Sequence, residues 1–96
     1  MAWEVRINRK AAKNLKKLPV SIQERFKALA LELRADGPVR DRWPNYGKIR
    51  GAEECHHCHI KKGKPTYVAV WHVKNESILE VTYVGTHEGA DYRKLC

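Results

Sequence analysis

Three strand-like runs, separated by turns of four residues, dominate the second half of this 96-residue chain. Glu54 to Lys61 contains Cys-His-His-Cys-His-Ile; Thr66 to Val73 and Ile78 to Val84 are rich in β-branched and aromatic residues. Those residue types favour the pleated backbone. The turns, Lys62-Gly63-Lys64-Pro65 and Lys74-Asn75-Glu76-Ser77, are too short for a crossover helix. Strands joined this way pair antiparallel, since a parallel return needs a dozen residues or more. The last run is apolar on both faces, which places it in the interior of the sheet.

The first half supplies a cover. Trp3, Val5 and Ile7 alternate with Glu4, Arg6 and Asn8, the pattern of a half-buried strand. Asn8 can accept a hydrogen bond from the free amides of a following helix. That helix is expected from about Arg9 to Leu18, with Ala11, Leu15 and Leu18 as its apolar stripe. Pro19 interrupts it, and Ser21 with Glu24 forms the pattern of a capping box for a second helix. Ile22, Phe26, Leu29 and Leu33 give that helix one apolar face, and Gly37-Pro38 ends it. The expected architecture is α+β, in the order β-α-α-β-β-β. It is a twisted antiparallel sheet of about four strands with a two-helix hairpin on one face, forming a single domain over residues 1–96. The first strand is expected inside the sheet, where the helices can cover it.

Nineteen basic against eleven acidic residues leave a net charge of +8. The surplus clusters on the first helix, around Arg50 and along Lys61 to Lys64. Clustered positive charge implies an anionic partner, either nucleic acid or an acidic protein. No apolar run has the length of a membrane span and no secretory signal is evident, so a cytoplasmic protein without a membrane partner is expected. Three cysteines do not suit a closed disulfide framework.

All five histidines lie between Cys55 and His87. Strand parity puts His56, Cys58 and Ile60 on one face and Cys55, His57, His59 and Lys61 on the other. The first set belongs to the core, with Cys58 as a small hydrophobe. The second set should present two imidazoles and an ammonium on a face that neither helix covers. Zinc is not expected, because Cys55 and Cys58 project to opposite sides and no second ligand pair follows. His87 follows Gly85-Thr86 at the end of the last strand and should converge with His59 on one concave surface. His72 shares parity with Val68 and Val70 and belongs to a core or boundary position.

With its Cys58-His59-Ile60 tripeptide and its Gly85-Thr86-His87 ending, in this order of elements, the chain resembles the RelE/ParE superfamily of bacterial toxins, and within it the YafQ-like branch. The resemblance covers nearly the whole chain. It implies the toxin of a type II toxin–antitoxin system: a ribosome-dependent endoribonuclease that needs no metal or other cofactor and cuts messenger RNA. The implied partners are an acidic antitoxin, the ribosome and its messenger, and operator DNA through the antitoxin. His59 matches the family's strand histidine, His87 its C-terminal histidine, and Tyr92 its C-terminal aromatic residue, displaced by one position. A further family histidine before the second strand has no counterpart among Trp43 to Gly47. An acidic residue after the histidine strand is replaced by Lys61, Lys62, Gly63 and Lys64.

The chemistry implied is attack by the RNA's own 2′-hydroxyl. His59 and His87 serve as the base and acid pair, and Tyr92 stacks a base or shares proton transfer. Arg50, His57, Lys61 and Lys64 would contact phosphate. Two other classes remain open at this point. A ParE-like toxin would bind a protein such as gyrase without catalysis, and an RNA-binding module would hold RNA without cutting it.

Overall fold

A computed structural model of the chain describes residues 2–49 and 54–95. Its elements are β1 (Glu4–Ile7), α1 (Arg9–Lys16), α2 (Val20–Asp36), β2 (Gly47–Lys48), β3 (Cys55–Lys61), β4 (Tyr67–Val73) and β5 (Ile78–Thr86). A 3₁₀ turn, His87–Gly89, and a short helix α3, Tyr92–Leu95, follow. The sheet has five strands in the order β1-β5-β4-β3-β2. The strand beyond the four expected is the two-residue β2, which pairs Gly47 with His57 and Lys48 with His56.

Each helix begins and ends for a local reason. Asn8 caps α1, its Oδ1 accepting from the amide of Ala11 at 2.7 Å. Helix α2 starts at Val20, one residue before the expected cap, and has no side-chain cap. The carbonyl of Pro19 takes the amides of both Ile22 and Gln23, so Ser21 already lies in the first turn. Gln23 ties the start down instead, donating Nε2 to the carbonyl of Leu18 at 2.8 Å. At the other end Gly37 takes φ +92°, where a side chain would be strained, and donates its amide to Leu33.

Ile22, Phe26, Leu29 and Leu33 are buried on α2, as their spacing predicts, against Cys58, Ile60, Ala69, Trp71, Leu79, Val81 and Val84. Trp71 is fully buried and its indole N–H finds the carbonyl of Pro38 at 3.0 Å. Truncating a core aromatic of this kind to alanine costs roughly 3–5 kcal/mol.

One expectation is overturned. β1 lies at the edge of the sheet and runs parallel to β5, pairing Glu4 with Ile78 and Ile7 with Val81. The helices cover a face of β1, and that requirement leaves its outer edge free. Its other face carries Glu4 and Arg6, both exposed. The interior strands are β5, β4 and β3, with β4 at the centre, where Val68, Ala69, Val70 and Trp71 are all at 0% exposure.

Two irregularities re-aim side chains. The β4–β5 register shifts between Val70 and Trp71, whose partners are Tyr83 and Val81. The extra residue lets Val81 and Val84 both reach the core, so the apolar pattern of β5 changes phase. The β3–β4 register shifts between His59 and Lys61, and Lys61 pairs with Tyr67. Lys61 therefore leaves the row of His57 and His59. No helix among the described residues is long and apolar enough to cross a membrane.

Candidate active site

The second face of the sheet carries His57 opposite Val70 and His59 opposite Val68. It was expected to lack a helical cover, yet Val68 and Val70 are at 0% exposure. The polar tail accounts for the difference: it folds into the 3₁₀ turn and α3, and the ring of Tyr92 comes to 5.3 Å from that of His57. A four-residue helix has too few turns to show periodicity in a sequence.

Gly85-Thr86-His87 sets the turn by three contacts. A Cβ on Gly85 would stand 2.5 Å from Asn14 Nδ2 and 2.6 Å from the Tyr83 hydroxyl, so only glycine lets α1 and Tyr83 approach. The hydroxyl of Thr86 accepts from the amide of Gly89 and caps the turn. The amide of His87 donates to the carbonyl of Thr66 at 2.8 Å, which fixes it across from β4.

His59 and His87 consequently meet. Their ring centroids are 5.5 Å apart at an interplanar angle of 74°. Tyr92 stands 6.4 Å from His87, edge to face. The two imidazoles line an open groove of about 580 Å³ with Gly63, Lys64, Pro65, Thr66, Thr86 and Glu88. Gly63, at φ +149°, shapes its far lip, and Thr66 closes that turn by donating its hydroxyl to the carbonyl of Gly63.

Burial holds the His59 imidazole below its ordinary range, helped by nearby His87, Lys62 and His57. His57 is lowered by burial and by His87. Among the described residues, both rings keep a buried Nδ1 without a hydrogen-bond partner. Burial raises the Tyr92 hydroxyl, so it stays protonated at neutral pH.

The structure therefore gathers His59, His87, Tyr92, His57 and Lys64, but not all in one role. His57 lies beneath Tyr92 and is held neutral, which suits support more than phosphate charge. Lys61 points away from the groove. Arg50 lies outside the described residues. His56 lies on the core face, where strand parity expects it. It is fully buried, stacked on Trp71 at 6.0 Å and 3°, with its Nδ1 2.8 Å from the Tyr46 hydroxyl. Its Nε2 faces Glu54 at 3.6 Å. Parity put it on the core side, and it is built in as a core residue. Cys55 is disulfide-bonded and Cys58 is a free, buried thiol whose pKa burial pushes up to about 12. Among the described residues no group of three or more His, Cys, Asp or Glu could hold a metal ion.

The same arrangement of strands and helices occurs in solved toxins. A variant of Escherichia coli toxin RelE in the free state superposes with a TM-score of 0.74 at 21% identity, over 94% of this chain and 88% of that one. The fold is RelE-like. The archaeal RelE–RelB complex of Pyrococcus horikoshii gives a TM-score of 0.67 at 17% identity, covering 94% of this chain and all of its counterpart (100%). In sequence, the chain is similar to “Putative toxin RelE1” of Methanocaldococcus jannaschii, with 27% identity over 90 residues, 94% of this chain and 96% of that protein. No protein-family profile matches the chain. In this RelE-like fold the histidine groove lies between the end of β5 and the β3–β4 turn.

Proposed function

We propose that this chain is a RelE-type toxin whose histidine groove cuts messenger RNA on the ribosome, in the manner of the YafQ-like branch. The observation that carries the reading is the His59–His87 pair at the mouth of an open groove that Lys64 also lines.

The 2′-hydroxyl of the RNA is the nucleophile. His59, held neutral by burial and by cationic neighbours, takes its proton. The 2′-oxygen attacks the adjacent phosphorus, and the bond to the 5′-oxygen breaks. His87, exposed on the 3₁₀ turn, protonates that leaving oxygen. The products are a 2′,3′-cyclic phosphate and a 5′-hydroxyl. Lys64 supplies positive charge to the phosphate as it passes through the pentacoordinate state. Tyr92, protonated and tilted against His57, offers a hydroxyl and an aromatic face beside His87. Arg50 would add a second cation.

The partner that silences it is an acidic antitoxin, a reading supported by the RelE–RelB complex among the similar structures. A +8 chain would draw that partner and ribosomal RNA to overlapping surfaces. The antitoxin would carry the pair to operator DNA, and the toxin would act in the cytoplasm. The test is a coupled translation reaction with purified protein, in which the 5′ ends of messenger fragments are mapped. Cleavage that depends on translation and disappears in His59→Ala and His87→Ala supports the reading. Intact messenger with folded wild-type protein would refute it.

A further inference from the structure

A second groove, of about 710 Å³, runs between α1 and α3 on the other side of Thr86. Thr86 lines both this groove and the histidine groove, so the two adjoin at that residue. Lys10, Lys13 and Lys17 stand along one wall and Lys94 along the other. The first three recur at spacings of three and four, so they share one face and span roughly 10 Å along the helix. All four are exposed, and among the described residues none takes part in an ion pair. Asp91 is the one carboxylate on the lining, and Tyr83 contributes an aromatic surface to it.

Four ammonium groups with no ion-pair partner among the described residues, along a cleft that adjoins the histidine groove at Thr86, fit a polyanion passing from one groove to the other. We propose that the α1–α3 groove is a second RNA subsite, holding the phosphate backbone of the single strand that leaves the histidine groove past Thr86. The inference rests on the ribonuclease reading for its substrate class. It adds that RNA is gripped well beyond the scissile bond, by lysines that take no part in proton transfer. The adjacency of the two grooves at Thr86 favours RNA over an acidic helix, which would need only the lysine groove.

Binding, not cleavage, tests it, so a chain that failed to cut RNA would still answer the question. Fluorescently labelled 2′-O-methyl RNAs of two lengths, a 12-mer and a trinucleotide, are titrated across a salt series. The proteins are wild type, the Lys10→Gln/Lys13→Gln/Lys17→Gln variant and Lys64→Gln. The triple variant should bind the 12-mer at least tenfold more weakly and leave the trinucleotide unchanged. Its salt slope should flatten by about 1.4–2.1, since each neutralised phosphate on a single strand contributes roughly 0.7. Lys64→Gln should weaken both lengths. Equal 12-mer binding by the triple variant and wild type, with the fold intact by circular dichroism, would overturn the proposal. So would equal weakening of both lengths. An acidic amphipathic peptide is the third arm: if the triple variant loses that peptide and keeps the 12-mer, the groove docks protein and the proposal fails.

Discussion

The imidazole of His59, on a strand in the middle of the chain, meets that of His87, on the turn after the last strand, edge to face at 5.5 Å. Neither ring reaches the groove by its own element alone. β4 holds β3 and β5 at the right separation, and the amide of His87 is fixed to Thr66 just ahead of β4.

Removing either imidazole should therefore abolish most cleavage without disturbing the core. His59→Ala and His87→Ala should each lower the cleavage rate by roughly 10²–10⁴-fold and relieve growth arrest on expression. A chelator should leave wild-type cleavage unchanged. The measurement is messenger cleavage with circular dichroism as the control for folding. Full activity in both folded variants would remove the pair from the mechanism.

The acid limb of the pH profile should report His59. Its neutral form is the base, so activity should rise with pH through a value below the ordinary 6.5. Lys62 helps depress that value. Lys62→Gln should move the acid limb to higher pH. A limb that stays in place would show that another group sets it.

His56 should give stability its own pH dependence. Its folded pKa lies below 6.5, because burial disfavours the cation more than Glu54 restores it, while Lys48 and His57 add to the depression. The contribution is present above the unfolded value of about 6.5 and is lost as pH falls through the folded value. His56→Phe keeps a ring against Trp71 but strands the Tyr46 hydroxyl, for a cost of about 1–3 kcal/mol. The melting temperature of wild type should drop more between pH 7 and 5 than that of His56→Phe. Parallel curves would place the titration elsewhere.

At Gly85 a methyl group has nowhere to go. Gly85→Ala should destabilise the fold by about 1–3 kcal/mol, since Asn14 and Tyr83 must both move. Urea unfolding would show the loss. Cleavage should fall as well, because Tyr83 bonds the carbonyl of Thr86, next to His87.

Two lysines only three positions apart in the sequence, on either side of the β3–β4 turn, take different places. Lys64 lines the histidine groove, and Lys61 does not. Lys64→Glu should weaken RNA binding several-fold and reduce its salt dependence, whereas Lys61→Glu should change either only slightly. Equal effects would mean that the charge acts through the general field of the protein.

The sequence displays what is local. The Asn8 cap, the apolar face of Ile22, Phe26, Leu29 and Leu33, and the Gly37 stop are each set within a few residues, and periodicity exposes them. Strand parity likewise separates His56 and Cys58 from His57 and His59. Features set by a distant partner are hidden. Nothing in Glu4 to Ile7 says that β5 will take it in parallel at an edge. The slip after His59 appears only once β4 is laid beside β3, so Lys61 is misassigned by simple alternation. Tyr92 could be named from the resemblance, but its place over His57 depends on a helix of a single turn.

The pairing of Glu4 with Ile78 also sets a schedule. Chains leave the ribosome at about 5–20 residues per second, so β1 waits several seconds before its partner exists. Because the helices have no finished sheet to cover until β5 arrives, the fold closes late, through a pairing of long sequence separation. The same late segment delivers His87. Synthesis thus yields no paired imidazoles until the sheet itself is complete, so a nascent chain lacks the groove on which the proposed cleavage depends.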